Sequence, residues 1–75
     1  MMQDSLNVRR LLCPLPVIRT QDKIKTLQPG DHLTVTATDP GVVHDIPAWC
    51  RINGHTVLEV RQDDREYVIE ILVGA

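Results

Sequence analysis

The sequence predicts a two-layer α/β sandwich with the element order β-α-β-α-β-β, in which two helices pack on one face of a four-stranded mixed sheet. Three observations predict this class. Strand-like and helix-like apolar patterns alternate along the chain. Glycine and proline mark the boundaries between them. The chain has 75 residues, which is enough for a single domain spanning residues 1–75 with one layer of core.

The first strand and the first helix flank a cysteine. A short, mostly apolar segment, Leu6–Leu12, is predicted to be a strand, although two arginines interrupt it. Residues 14–27 are predicted to be a helix because apolar side chains and one threonine recur on one helical face: Val17, Thr20, Ile24 and Leu27. Pro14 fits the first helical turn, where its missing N–H is no loss, and Pro29-Gly30 ends the helix.

The other three strands are predicted from alternation and from turn residues. His32–Thr38 alternates strictly between apolar and polar side chains, as in a strand with one buried face. The polar side of this strand is rich in threonine, which suits a sheet face that no helix covers. Thr56–Arg61 and Tyr67–Val73 are predicted to form a hairpin around the polar turn Gln62–Arg65.

The second helix lies within Val42–Asn53, where the apolar residues follow a helical period. Pro47 falls inside this run, where it removes one main-chain hydrogen bond and disfavours helical geometry at the preceding residue. We therefore expect a short first turn, a break, and a main helix that Asp45 caps and that has Pro47 in its opening turn. Gly54 is well placed to end this helix as its C′ residue.

Composition and charge narrow the range of functions that the chain can have. The formal net charge is −2, whereas non-specific binding to nucleic acid or to an anionic membrane needs a basic excess. The uncharged run near the start is too short to span a membrane, and the N-terminus lacks the layout of a signal peptide, so we expect a cytoplasmic protein. The cysteines and histidines have neither the number that a disulfide framework needs nor the short spacings of zinc sites. The mixed surface gives no reason to expect an obligate oligomer, and a monomer is predicted.

Cys13 is the residue most suited to chemistry. It lies at the predicted junction of a strand and a helix N-terminus, where unpaired amides and the helix dipole favour a thiolate, the nucleophilic form. A free thiol with a pKa of about 8.5 is only ~3% ionised at pH 7, and a helix end supplies ~0.3–1 kcal/mol. We therefore expect an accessible, partly ionised sulfur, to which Arg9, Arg10 or Arg19 adds positive charge if the fold brings one close.

Two prolines follow the cysteine closely. Pro14 and Pro16 stiffen the first turn and pre-shape the chain that leaves Cys13, which lowers the entropic cost of presenting the sulfur to a partner. The alternative is structural: Cys13 is a small buried hydrophobe that ends a strand. The spacing Cys-Pro-x-Pro in so small a domain favours chemistry. Because a short chain has no room for a deep cleft, that chemistry is expected at the surface, with a partner completing the site.

The motif Cys13-Pro14-Leu15-Pro16 resembles the hallmark of the TusA/SirA-like family of small sulfur-carrier proteins. Further blocks match in order along nearly the whole chain: Leu27 to Asp31, Asp39-Pro40, Asp45-Ile46-Pro47, Cys50 and Gly54-His55. The family often has an Asp-x-x-Gly-x-x-Cys pattern. This chain has Asn7 in place of the aspartate and Arg10 in place of the glycine. That departure adds positive charge before the cysteine and bears on which partner is recognised.

The resemblance implies a sulfur carrier, or sulfurtransferase, that accepts sulfur as a persulfide on Cys13 and relays it to another protein. The donor would be a cysteine desulfurase or a rhodanese-like protein. The acceptor would be a further relay protein serving tRNA thiolation, cofactor synthesis or sulfur oxidation. Pro14 and Pro16 would support the site, and Arg10 and Arg19 are candidates for partner recognition. Such chemistry needs no cofactor and no metal, and involves no direct contact with nucleic acid or membrane.

Two other functions stay open at this point. One is a noncatalytic interaction module that uses the thiol only structurally, and the other is a redox switch between Cys13 and Cys50. Cys50 shares a helical face with apolar residues, which favours core packing over pairing with Cys13. Trp49 is predicted to anchor the second helix, and the histidines are predicted to be surface or turn residues: His32, His44 and His55.

Overall fold

A computed structural model describes residues 2–74 as four strands and two helices in the order β-α-β-α-β-β. The fold predicted from the sequence is therefore confirmed. The elements are β1 (Gln3–Val8), α1 (Leu15–Ile24), β2 (His32–Ala37), α2 (Val42–Ile52), β3 (Thr56–Asp63) and β4 (Glu66–Leu72). Within this part of the chain, no helix has the length and apolar character that crossing a membrane requires.

The sheet is mixed and has the strand order β1-β2-β4-β3. β1 pairs in parallel with β2, and the register places Leu6 opposite Val35. β4 pairs antiparallel with both of its neighbours, β2 and β3. The two parallel strands are joined through α1, which is the crossover that a parallel pair needs.

The core lies between the helices and one face of the sheet. β2 alternates as predicted: Leu33, Val35 and Ala37 are buried, while the residues between them are half-buried on the opposite face. α1 and α2 each bury one residue per turn against this layer: Pro16, Thr20 and Ile24 from α1, and Val42, Ile46 and Cys50 from α2. The spacing of four residues in both helices is that of a single helical stripe facing the core.

The opposite face of the sheet is polar. Glu70 on β4 accepts a hydrogen bond from the Thr34 hydroxyl at 2.6 Å and from the Arg61 guanidinium at 3.0 Å. The imidazole Nε2 of His32 lies 3.0 Å from the same carboxylate. This network occupies the threonine-rich face that the sequence predicted would be left uncovered by the helices.

The first strand begins and ends earlier than predicted. β1 spans Gln3–Val8, whereas the apolar pattern predicted Leu6–Leu12. Arg10 adopts a left-handed backbone conformation with φ of 66°, and its amide donates to the Thr38 hydroxyl at 2.8 Å instead of to a neighbouring strand. The chain therefore leaves the sheet after Val8, and Leu12 is 73% exposed in the following segment.

The first helix is shorter than the predicted range of 14–27. α1 begins at Leu15, so Pro14 occupies the N-cap and Pro16 the first turn. The last turn tightens after Ile24, because Thr26 and Leu27 donate to carbonyls three residues earlier, at 3.0 Å each.

The second helix is continuous, and the predicted break before Pro47 is wrong. α2 spans Val42–Ile52 with Gly41 as its N-cap, so Asp45 lies in the first turn and does not cap the helix. A proline inside a helix costs about 3 kcal/mol. The buried stripe of α2 outweighs that cost, because Val42 and Ile46 are both buried and each such side chain stabilises by about 1.5–3 kcal/mol. Gly54 follows the helix with φ of 83°, as expected for a C′ glycine.

The hairpin is tighter than predicted. β3 and β4 pair from Thr56 opposite Leu72 to Asp63 opposite Glu66, which leaves Asp64 and Arg65 as the loop. Asp64 has a φ of 58°, a conformation that aspartate tolerates better than most residues. A register shift between Val57 and Glu59 interrupts the ladder.

Candidate functional site

Cys13 is exposed in the segment between β1 and α1. This segment crosses the end of the sheet and turns into the helix through two main-chain hydrogen bonds: Leu11 donates to Val8 at 3.3 Å, and Leu15 donates to Leu12 at 2.9 Å. The thiol therefore lies on a tight surface turn and not in the core, which disfavours the purely structural interpretation of this cysteine.

The two prolines of the motif have different surroundings. Pro14 is exposed beside the sulfur, whereas the Pro16 side chain is fully buried and belongs to the stripe with which α1 contacts the core. Thr20, also buried, donates its hydroxyl to the Pro16 carbonyl at 2.8 Å. Pro16 thus fixes the helix start to the core, and Pro14 shapes the exposed turn that carries Cys13.

Asp39 holds the backbone of the cysteine turn. One of its carboxylate oxygens accepts the Cys13 amide at 2.8 Å, and the other accepts the Gly41 amide at 3.0 Å. These two amides lower the pKa of the Asp39 carboxyl group. Asp39 therefore bridges the turn before α1 to the start of α2 and fixes the position of Cys13 relative to the second helix.

Asp45 contacts the sulfur itself. The Cys13 thiol donates to the Oδ2 atom of Asp45 at 3.5 Å, within hydrogen-bond reach for sulfur. This hydrogen bond raises the pKa of the Cys13 thiol, and partial desolvation and the negative charges of Asp45 and Asp39 raise it further. The surroundings of the sulfur therefore oppose its ionisation, whereas the helix end was expected to favour it.

The helix end offers the sulfur fewer amides than the sequence argument assumed. Cys13 precedes the N-cap of α1, so it lies outside the first turn. Of the first three helical residues, Leu15 already donates its amide to Leu12, and Pro16 has no amide hydrogen. Val17 is the remaining donor of the three. The prolines that shape the turn thus remove the groups that would stabilise a thiolate there.

The hydrogen bonds of Cys13 lead to carboxylates and not to arginines. Arg9 pairs with Glu66 at 2.6 Å, at the hairpin end of β4. Arg10 and Arg19, the candidates for partner recognition, are both exposed. The side chains that the structure places on Cys13 are carboxylates: Asp39 accepts its amide and Asp45 accepts its thiol. Both belong to sequence blocks that carry the family resemblance, but neither was predicted to contact Cys13, and Asp45 was predicted to cap α2.

Apolar side chains are exposed next to the cysteine. Leu12 precedes it, and Leu15 and Ile18 lie three residues apart on α1, so they share one side of the helix; their exposed fractions are 73%, 42% and 43%. We call these three residues the apolar rim. A rim of this kind next to an exposed thiol is typical of a surface that another protein covers.

The other residues that the sequence analysis weighed lie elsewhere. Cys50 is fully buried on α2, as predicted, and burial raises the pKa of its thiol to about 11. Trp49 packs against the core and stacks on His55 with ring centroids 5.2 Å apart. Residues 2–74 contain no group of three or more His, Cys, Asp or Glu side chains arranged to hold a metal ion.

A surface groove lies away from Cys13. It lies between the start of α2 and β3, has a volume of about 610 Å³, and is lined by residues that include Pro40, Val43 and Tyr67. The candidate site consists of groups at the surface: an exposed thiol, two carboxylates and the apolar rim.

Comparison with known proteins identifies relatives along almost the whole chain. The model of the family described as Sulfurtransferase TusA matches residues 4–73. A protein of Neisseria meningitidis serogroup A is 38% identical over 71 residues, which are 95% of this chain and 96% of that protein. The sulfur carrier protein TusA of Pseudomonas paraeruginosa is 38% identical over 63 residues, 84% of this chain and 80% of that protein.

A solved structure has the same fold. The crystal structure of the SirA-like protein from Desulfitobacterium hafniense superposes with a TM-score of 0.83 and 20% sequence identity, and the match covers 96% of this chain and 99% of that one. At this level of identity the likeness establishes the arrangement of strands and helices, and it agrees with the element order described above.

Proposed function

The chain belongs to the TusA sulfurtransferase family, and from that premise we propose that it is a sulfur carrier that accepts sulfur as a persulfide on Cys13 and passes it to another protein. The observation that carries the proposal is the exposed Cys13 thiol on the turn that begins α1, within the motif Cys13-Pro14-Leu15-Pro16. The second cysteine is buried and has no access to a partner.

The proposed chemistry is two thiolate displacements. In the first, the Cys13 thiolate attacks the outer sulfur of a donor persulfide; a new S–S bond forms on Cys13, the donor S–S bond breaks, and the donor cysteine leaves as a thiolate. In the second, an acceptor thiolate attacks the outer sulfur on Cys13, and Cys13 leaves as a thiolate. The transferred sulfur keeps its oxidation state, so neither step needs an oxidant or a reductant.

The exposed position of the thiol suits a carrier that exchanges sulfur with other proteins. Both displacements require two sulfur atoms to approach closely, which an exposed turn allows and a buried thiol does not. The apolar rim and the exposed arginines, Arg10 and Arg19, are the surfaces that we assign to partner docking, while Pro14 and Pro16 hold the turn in shape. The partners are a donor protein, such as a cysteine desulfurase or a rhodanese-like protein, and an acceptor in a sulfur relay.

Sulfur loading followed by intact-protein mass spectrometry tests this proposal. The protein is incubated with a cysteine desulfurase and cysteine, and we expect a gain of one sulfur atom that dithiothreitol removes. Cys13→Ser is expected to gain none. Cys50→Ala is the matched control, because it removes the other thiol of the chain and is expected to load normally.

Two results would overturn the proposal. One is a wild-type protein that gains no sulfur from either a desulfurase or a rhodanese-like donor. The other is a Cys13→Ser variant that still loads, which would transfer the role to Cys50 or to another group. A single-turnover experiment then measures transfer of the sulfur from the loaded protein to an acceptor thiol. A carrier gives up its sulfur in this experiment, whereas a dead-end adduct keeps it.

A further inference from the structure

The hydrogen bond between Cys13 and Asp45 has a consequence for how the carrier works. A carboxylate is an acceptor only, so at neutral pH this contact exists when the sulfur holds its proton and is lost when the sulfur becomes a thiolate. A thiolate in the same position would face the two negative charges of Asp39 and Asp45. The geometry therefore stabilises the thiol, which is the less nucleophilic form.

The Asp45 carboxylate accepts a hydrogen bond from the thiol, and this contact needs the proton to stay on the sulfur. The contact therefore restrains the nucleophile instead of activating it.

The two carboxylates differ in how freely they can act. Both oxygens of Asp39 are occupied by main-chain amides, those of Cys13 and Gly41, which hold it in place. Asp45 is exposed in the first turn of α2, and its Oδ2 atom accepts the thiol. A docking protein can reach Asp45 without dismantling the turn, whereas displacing Asp39 would release the Cys13 backbone.

We propose that Asp45 is a positioning residue that holds Cys13 as a protonated thiol in the free protein, and that sulfur uptake begins when a docked donor withdraws this carboxylate by offering it a cationic side chain. This inference rests on the proposed sulfur-carrier function. On docking, the Asp45 carboxylate pairs with the donor's cation, the Cys13 proton passes to solvent, and the thiolate attacks the outer sulfur of the donor persulfide. The free carrier is thereby protected from alkylating and oxidising agents.

The pH profile of Cys13 alkylation tests the restraint without any sulfur donor. Iodoacetamide is the probe because it is uncharged, and peptide mass spectrometry identifies the labelled cysteine. In Asp45→Asn we expect the rate at pH 7 to rise about threefold or more, and the midpoint of the profile to move to lower pH. Asp45→Ala is expected to behave alike, and Asp45→Glu is expected to restore a slower rate.

Asp22→Asn is the matched control, because Asp22 is an exposed carboxylate on α1 and the substitution makes the same charge change. We expect it to leave the profile unchanged. Unchanged or slower alkylation in both Asp45→Asn and Asp45→Ala would overturn the inference, and so would an equal acceleration in Asp22→Asn. Circular dichroism of each variant establishes that the fold is retained.

The alkylation result and the sulfur-loading result are independent. A faster Asp45→Asn together with a wild-type protein that never loads sulfur would leave the restraint standing and remove the carrier function. Normal sulfur loading together with an unaltered Asp45→Asn alkylation profile would leave the carrier function standing and remove the restraint. Both outcomes are decided by measurements on the full chain.

Discussion

The two cysteines place the same functional group in opposite regions of one small domain. Cys13 lies on the exposed turn before α1, and Cys50 lies on the buried stripe of α2. Both thiols have a raised pKa, but for different reasons: for Cys13 the main cause is the hydrogen bond to Asp45, and for Cys50 it is burial. A raised pKa therefore coexists with very different access to solvent.

The difference shows which restraint a partner can remove. Burial of Cys50 is part of the folding free energy of the core, so exposing that thiol requires α2 to separate from the sheet. The main restraint on Cys13 is its contact with an exposed carboxylate, which a docking protein can break by competing for Asp45. A sulfur carrier needs a restraint that a partner can remove, because its nucleophile must be unreactive in the free protein and reactive in the complex.

The largest expected effect is on labelling. In the native protein, iodoacetamide is expected to modify Cys13 at least about 100-fold faster than Cys50, because Cys50 reacts only when the core opens. Thiolate is the reactive form, so the Cys13 rate rises as pH rises through its raised pKa. Peptide mass spectrometry at timed quench points gives both rates.

Denaturant provides the control for that contrast. In guanidinium chloride above the unfolding midpoint, burial and the Asp45 contact are both lost, and the two rates are expected to converge. A native Cys50 that labels as fast as Cys13 would show that α2 opens readily, which would reinstate the redox switch between the two cysteines.

The next effect is on stability. Cys50→Ser is expected to lower the free energy of unfolding by about 1–3 kcal/mol, because it buries a hydroxyl group among apolar side chains. Cys13→Ser is expected to leave it nearly unchanged, since the sulfur is exposed and serine can still donate to Asp45. Urea unfolding followed by circular dichroism measures both.

Cys50→Ala distinguishes polarity from volume in that experiment. It leaves a small cavity but adds no polar group, so it is expected to destabilise less than Cys50→Ser. Equal stability of the wild type and Cys50→Ser would contradict the placement of this cysteine in the core. A large loss in Cys13→Ser would mean that the turn contributes more to folding than its exposure indicates.

The sequence predicted the fold well wherever one element's own pattern decided the outcome. The alternation of β2 and the hairpin needed no distant information. The start of β1 was missed because Gln3, Asp4 and Ser5 form a strand only by pairing with β2, about thirty residues away. The continuous α2 was missed because burial of its stripe against the sheet outweighs the local effect of Pro47.

The candidate site divides in the same way. Cys13, Pro14 and Pro16 are adjacent in the chain, so their motif identified them. Asp39 and Asp45 are 26 and 32 residues from Cys13, and only the folded chain brings them to it. The electrostatic effect predicted for Cys13 had the wrong sign for that reason. The helix end and the nearby arginines are evident in the sequence, whereas the side chains that reach Cys13 in the folded chain are carboxylates.

The smallest expected effect concerns the turn that presents Cys13, and it leaves the region of Cys50 unaltered. Arg10 has a φ of 66°, which costs a residue with a side chain about 1–2 kcal/mol, whereas glycine adopts this conformation freely. Glycine also gives up more freedom on folding, by roughly 0.5–1 kcal/mol. Arg10→Gly is therefore expected to raise the free energy of unfolding by about 0.5 kcal/mol, measured by urea titration.

Arg10→Ala separates the backbone contribution from the loss of charge. Alanine keeps the left-handed penalty and loses the guanidinium, so it is expected to have the stability of the wild type. The amide of residue 10 still donates to Thr38 in both variants, which holds the turn in place. If Arg10→Ala stabilises as much as Arg10→Gly, the effect comes from the charge. If neither differs from the wild type while both slow sulfur uptake from a donor, Arg10 serves partner recognition, and the strained turn tolerates it for that purpose.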